Sequence, residues 1–349
     1  MAILYVTEQG SSLRKKGRRI VVEKFGKVIQ WTHAFNLDQI IIMGNIQLTP
    51  SIISFLLSQG IDTVFLSIHG KYRGRLISGF SKNIVLRRAQ FLRFEDQNFA
   101  LNLSKKYVYG KLFNCRVLLR RYNNELKDER IADMIHKLRV MEKRTYNAKS
   151  LDELRGIEGK GTASYFGGFK YLFKVDDIRF EKRTRRPPRD PINVLLSLGY
   201  TLLANLIQTA VYTVGMDPFL GCLHAMEYGR PSLTLDLMEE FRPVLVDSLV
   251  IRVINRRWIT PYDFYIPDGR STLSDDEELE DPSPEDYPII LTAEGMKKFI
   301  THFENRLSER VFYIPLDKRL RYRDICLEQA RMLARHLKGE ENYQPYQIR

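Results

Sequence analysis

Near residue 81 the hydrophobic period of this chain changes, and that change limits the possible folds more than any single motif. Up to about Phe80, β-branched and aromatic residues come in short runs, at residues 19–24, 27–31, 39–43 and 62–68. Turn residues such as Phe25-Gly26 and His69-Gly70 separate such runs, the latter leading into residues 71–77, so strands and hairpins are predicted. Residues 49–57, with Pro50 just inside, carry a helix-start pattern. Beyond Ser81 the apolar residues Ile84, Leu86, Ala89, Phe91 and Leu92, then Leu101, Leu103, Val108, Leu112, Val117 and Leu118, recur at helical spacing. Further helices are predicted over residues 130–143, 193–214, 232–254, 293–308 and 323–338. The expected class is α+β: a small β-rich amino-terminal domain over residues 1–80, then a larger α-helical domain over residues 81–349. A chain of 349 residues is long enough to bury two cores.

Lysine and arginine number 55 against 42 acidic residues, a net charge of +13 that would attract a polyanion through counterion release. Nucleic acid is the leading partner on that ground, and a merely basic soluble protein is the plain alternative. Cys115, Cys222 and Cys326 are odd in number and widely scattered, which fits neither a disulfide framework nor a paired-cysteine metal ribbon. A reducing, cytoplasmic location is expected. The opening residues lack a basic stretch followed by a long apolar run, and no uninterrupted apolar segment reaches about 18 residues, so neither a signal peptide nor a membrane span is predicted. Residues 271–286, STLSDDEELEDPSPED, are acidic and short of apolar anchors. A solvated surface loop is the expectation there, with an acidic docking patch as the alternative.

The chemistry-bearing stretch is residues 221–243, which brings His224 to a turn that opens a carboxylate-bearing helix. Asp236 and Glu239 stand three apart and share one helical face, with Glu240 beside them. An imidazole nitrogen with carboxylate oxygens suits Mg²⁺ or Mn²⁺ better than zinc, and Cys222 with His224 is too closely spaced for a zinc half-site. Upstream, Glu158 is flanked by Gly156, Gly159 and Gly161, which suggests a carboxylate placed by a turn and a third metal ligand. Each residue has a plainer reading: Glu158 as a capping group, His224 as a core histidine, the acids as a solvated helix face. Arg183, Arg185, Arg186 and Arg189 crowd a proline-stiffened run that suits phosphate oxygens, or alternatively a structural strut, with Asp190 capping the following helix. Lys160 and Arg230 are further candidates for DNA contact. Tyr165 and Tyr200 could attack a phosphate but are better read as packing residues.

Together these segments resemble a known family. Glu158 in an I-E-G-x-G-T-A-x-Y-F setting, the R-T-R-R-P-P-x-D-P-I-N-x-L-L-S-x-G-Y run ending at Tyr200, the G-M-D-P-F-L-G-C-L-H segment ending at His224, and G-R-P-S-L-x-L-D-L-M-E-E-F-R-P are similar to the CRISPR-associated spacer-acquisition integrases, the "Cas-one" family. Arg321-Tyr322-Arg323 and the Tyr343-x-Pro-Tyr346 tail look like that family's carboxyl end. The resemblance implies a β-domain followed by a helical catalytic domain, and a homodimer that joins a small ferredoxin-like companion. It also implies a divalent metal, Mg²⁺ or Mn²⁺, held by Glu158, His224 and Glu239 with Asp236 beside them. Glu239 stands where an Asp is often found, and the acidic run 271–286 looks like an insertion.

The implied activity is metal-dependent joining of a prespacer 3′-hydroxyl to a phosphodiester at a CRISPR repeat boundary, both partners being double-stranded DNA. The alternatives are a metal-dependent nuclease of branched or single-stranded DNA, and a non-catalytic basic DNA-binding scaffold.

Overall fold

A computed structural model describes residues 2–79, 83–184, 188–266 and 289–348. The chain divides into two compact units, residues 1–82 and 83–349. The first carries β1 (Ile3–Val6), β2 (Ser12–Lys16), β3 (Arg19–Lys24), β4 (Lys27–His33), β5 (Gln39–Met43), β6 (Gln47–Leu48), α1 (Pro50–Gln59), β7 (Asp62–Leu66) and β8 (Tyr72–Leu76). They build two four-stranded sheets, ordered β1-β5-β7-β8 and β4-β3-β2-β6. Strands β1, β5 and β7 run parallel and β8 closes that sheet antiparallel. Parallel strands need cover on both faces, and β5 is accordingly buried at every residue. Leu4, Leu13, Ile20, Ile40, Ile52 and Leu56 belong to one core cluster that draws on both sheets and α1. Strands β1 and β2 escaped the sequence reading, since neither is a distinct β-branched run.

The second unit is mostly helical: α2 (Ile84–Glu95), α3 (Gln97–Leu126), α4 (Glu129–Asn147), α5 (Leu151–Phe169), α6 (Pro191–Val214), α7 (Ser232–Met238) and α8 (Ser248–Asn255). It continues with the short strands β9 (Phe264–Tyr265) and β10 (Ile290–Leu291), α9 (Ala293–Ser308), β11 (Arg310–Tyr313), β12 (Lys318–Arg321) and α10 (Tyr322–Lys338). Asp96, Asp128, Ser150 and Asp190 each accept a first-turn N–H at a helix start, so the cap predicted at Asp190 is present. Helix α6 is long and apolar enough to cross a membrane by length and composition, with mean hydropathy 1.6 in its most apolar window, but 72% of that window is buried. It is the helix around which the unit's core is packed.

The single helix expected over residues 232–254 is broken. Helix α7 stops at Met238, residues Arg242–Asp247 form a wide π-type turn, and α8 begins at Ser248. Pro243 has no N–H to offer the α-helical ladder, which favours the wider turn there. The break leaves Glu239 at the end of α7 and buries Asp247 in the turn that follows.

Candidate metal centre

His224 is held from one side by Asp236. The carboxylate accepts N–H groups from Cys222 and Leu223 on Oδ2, at 2.7 and 3.0 Å, and from His224 on Oδ1 at 2.9 Å. The same Oδ1 lies 2.7 Å from His224 Nδ1. A fully buried carboxylate surrounded by donors takes the Nδ1 proton as a hydrogen bond, which fixes the tautomer and leaves the Nε2 lone pair facing outwards. Gly221 lets the loop come this close: a Cβ there would stand 2.6 Å from the Ser232 carbonyl carbon and 2.7 Å from Asp236 Oδ2. Asp236 therefore orients the histidine and presents no oxygen of its own to a ligand.

His224 Nε2 faces Glu239 Oε1 across 3.8 Å. Glu239 is only 3% exposed and sits between two fixed cations, with Arg242 Nη2 at 3.2 Å from Oε1 and Lys111 Nζ at 2.7 Å from Oε2. Burial pushes its carboxyl up, but Arg242, then Lys111, outweigh burial and hold it down at about 2. Lys111 also ion-pairs with Glu158 Oε1, which in addition accepts the Thr162 hydroxyl at 2.8 Å. Burial pulls the Lys111 ammonium down, and Glu239 and Glu158 reverse that, leaving it raised and charged.

Glu158 sits in the middle of α5, not in the glycine turn read from the sequence. The reason is packing. A Cβ at Gly161 would stand 2.4 Å from Leu112 Cδ2, so this glycine lets α5 lie close against α3. That contact brings Lys111 and Glu158 together.

Glu158, His224 and Glu239 line one cavity of about 220 Å³, with Arg155, Leu223, Ala225 and Arg230 completing its wall. Among the described residues no three His, Cys, Asp or Glu side chains close on one point as a finished metal cage. Here the Lys111 ammonium lies between the two carboxylates. The donor set nevertheless fits a hard divalent cation: two carboxylates and one imidazole nitrogen, with the buried Glu239 Oε2 meeting only the Lys111 ammonium at 2.7 Å. A larger cavity of about 1220 Å³, between α3, β11 and residues 342–348, shares none of these side chains.

The remaining candidates separate. Glu240 points away from the cavity and is fully buried, where it accepts Gln329 Nε2 at 2.7 Å and the Tyr343 hydroxyl at 3.0 Å. Tyr165 and Tyr200 both donate to Asp247, at 2.8 and 2.6 Å, and burial raises both phenols well above their ordinary value. Arg230 lines the cavity and pairs with Glu227 at 2.9 Å, while Lys160 is exposed on α5. Arg183 is committed to the fold, donating to Asn193 Oδ1 at 2.7 Å and Ser197 Oγ at 3.1 Å. Arg189 is exposed; Arg185, Arg186 and the acidic run 271–286 lie outside the described residues. Sequence reasoning missed Lys111, Arg155, Thr162 and Arg242. A lone lysine among Tyr107, Val108, Leu112 and Cys115 on an apolar helix stripe was the available signal for Lys111.

The sequence profile of the family described as CRISPR associated protein Cas1 matches residues 4–305. The chain belongs to the Cas1 family. It is 38% identical over 352 aligned residues, covering all of this chain and 98% of its relative, to a CRISPR-associated endonuclease Cas1 of Thermus thermophilus. A CAS1 protein from Thermotoga maritima superposes with a TM-score of 0.80 at 25% identity, over 99% of this chain and all of that one. A casposase solved with an integration product superposes at a TM-score of 0.81 and 24% identity over 99% of this chain and 95% of that one, a likeness of fold. Family membership accords with the α+β class.

Proposed function

We propose that this chain is a divalent-metal-dependent DNA endonuclease and integrase of CRISPR adaptation, which joins the 3′-hydroxyl of a short prespacer duplex to a repeat-boundary phosphodiester. The observation that carries the reading is the meeting of Glu158, His224 and Glu239 on one arginine-walled cavity. It rests equally on membership of a family whose relatives are named endonucleases. Mg²⁺ or Mn²⁺ held by Glu158, His224 and Glu239 would supply Lewis-acid charge at the reacting phosphate. Asp236 keeps the His224 Nε2 lone pair free for that task, and Arg155 and Arg230 on the cavity wall suit phosphate oxygens. In the joining step the attacking 3′-oxygen forms one P–O bond and another breaks, and the departing 3′-oxygen leaves with a proton. No protein nucleophile is required, and Tyr165 and Tyr200 spend their hydroxyls on Asp247.

His224 and Glu158 keep 22% and 26% exposure, so water as well as a DNA hydroxyl can reach the site, and this favours hydrolysis as the second reading. The homodimer, the small ferredoxin-like companion and the cytoplasmic location belong to the same proposal. Strand β4 lies at a sheet edge, with Trp31 half exposed and Phe25 and Phe35 strongly exposed around it, which supports a protein-docking role for the first unit. The test is strand transfer with a labelled prespacer and repeat DNA. Wild type should join the two in Mg²⁺ or Mn²⁺ and stop with chelator, and Glu158→Ala or His224→Ala should lose at least 100-fold, the upper end of the usual loss for a metal-shell residue being about that. Cutting without joining, when a 3′-hydroxyl is supplied, would establish the nuclease reading instead.

A further inference from the structure

We propose that Lys111 is a built-in counter-cation that makes metal capture at this centre depend on a DNA phosphate. The inference rests on the metal centre and DNA reading above and deepens it. Lys111 projects from α3 with 9% of its side chain exposed and contacts a carboxylate oxygen of each acidic candidate ligand, Glu158 Oε1 and Glu239 Oε2. Arg242, 15% exposed, covers the other oxygen of Glu239. A buried and a partly exposed carboxylate thus face two fixed cations, and this inner circle carries no net charge before any metal arrives. Asp236 stands behind the imidazole with its own negative charge, but its oxygens are taken by three main-chain N–H groups and the imidazole, so it offers no oxygen to the ion. Arg155 and Arg230, on the rim, pair with Asp152 and Glu227.

A divalent ion entering such a circle meets two like charges within one side chain's reach and leaves the circle with a surplus of two positive charges, which Asp236 behind the imidazole offsets only in part. In a poorly solvated site that surplus is unfavourable unless an anion joins it. A phosphodiester supplies the anion. Metal and DNA then favour each other, and by linkage each raises the other's affinity by the same factor. The design holds the two acids in register without metal and delays metal loading until the substrate phosphate is present. Lys111 acts here as a positioning residue, through Glu158 and Glu239.

The experiment is Mn²⁺ titration of the full chain, read by electron paramagnetic resonance of the free ion at constant ionic strength, with and without a short duplex and corrected for binding to duplex alone. Wild type should bind Mn²⁺ roughly 5–150-fold more tightly with duplex, the usual range of coupling between sites. Lys111→Gln should tighten the duplex-free affinity towards the wild-type value with duplex and shrink the coupling, whereas Lys111→Arg should keep both near wild type. Equal wild-type affinity with and without duplex overturns the proposal, and needs no variant. Lys111→Gln that is folded and binds Mn²⁺ no more tightly than wild type also overturns it. If wild type binds Mn²⁺ in neither condition, the metal centre itself is refuted and the inference falls with it. Coupling present in wild type and absent in Lys111→Gln supports it.

Discussion

Glu240→Gln should remove a pH dependence of stability that wild type carries. Glu240 is fully buried, accepts from Gln329 and Tyr343 through Oε1, and has an Oε2 that finds no partner. Burial pushes its carboxyl from the ordinary 4.5 to about 8, against the pull of Gln329, Tyr343 and the Tyr346 main chain. The folded chain therefore holds a proton that the unfolded chain has already released between pH 4.5 and 8. Stability must fall as pH rises through that window, and above about pH 8 no further loss comes from this group. A change of this size converts to at most about 5 kcal/mol, and an unpaired buried acceptor costs about 1–3 kcal/mol in mutational series. The expected effect is thus about 2–5 kcal/mol between pH 5 and pH 9.

Glutamine mimics the protonated acid and keeps a carbonyl acceptor for Gln329 and Tyr343. At pH 5 the variant and wild type should melt within a few degrees of each other. At pH 9 the variant should melt roughly 5–15 °C higher, since about 2–4 °C accompanies each kcal/mol in a domain approaching this size. The assay is thermal melting from pH 5 to 9 at constant ionic strength, comparing the two slopes so that other titrating groups, such as Asp247 with its carboxyl pushed to about 6, cancel. Parallel melting curves across the window would refute the buried-acid argument.

Asp236→Asn should cost more activity than an outer-sphere change usually does, because an amide cannot receive the three main-chain N–H groups and the imidazole proton together; strand transfer should drop about 10–100-fold or more. Wild-type strand transfer in that variant would deny Asp236 its orienting role. Tyr165→Phe and Tyr200→Phe each strip one donor from buried Asp247 and should lower stability by about 1–3 kcal/mol while joining continues; loss of joining at unchanged stability would revive a tyrosine nucleophile. Neutralising Arg185, Arg186 and Arg189 with Arg183 retained should weaken duplex binding and flatten its salt dependence without altering sequence preference, and an unchanged salt slope would leave the run a structural strut.

The strands and helices that were legible in sequence are those with a strong period of their own. Strands β3 and β5 and helices α6 and α9 were anticipated within two residues of their observed bounds. The short β11–β12 hairpin escaped, because its Lys- and Arg-rich strands carry no alternating apolar pattern and its pairing is set by tertiary context. At the site, spacing pointed to His224 and the acids from Asp236 to Glu240, the family resemblance narrowed these to Glu158, His224 and Glu239, and the structure puts those three on one cavity. What spacing could not supply was the hydrogen-bond partner of each. Glu158 was read onto a glycine turn since three glycines nearby imply unusual dihedrals, yet Gly161 serves a helix–helix contact that only the position of Leu112 explains. Glu239 was read as a ligand or as part of a solvated helix face, and it is instead buried between Lys111 and Arg242. Deleting it therefore takes the buried Arg242 from its carboxylate and leaves Lys111 with Glu158 alone, at a cost of about 3–5 kcal/mol in addition to any loss of metal.

The two adjacent glutamates make the point sharpest. Glu239 and Glu240 are the same residue type, one position apart and both buried, so composition and period cannot assign them different tasks. The end of α7 sends their side chains to opposite surroundings. Glu239 enters a site with two fixed cations and is held at about 2, charged at any working pH and suited to a cation. Glu240 enters a site of neutral donors and is raised to about 8, where it keeps a proton and ties the chain after α7 to the tail through Tyr343 and Gln329. Asn114 makes the same connection from α3, donating to the Glu240 carbonyl and to the Tyr346 carbonyl at 2.8 Å each and accepting the Ile348 N–H at 2.9 Å. The tail is thereby part of what fixes the backbone next to Glu239. Removing residues 342–349 should loosen the ligand set as well as lower stability, and a truncated chain that still joined DNA at the wild-type rate would show that α7 alone holds Glu239 in place.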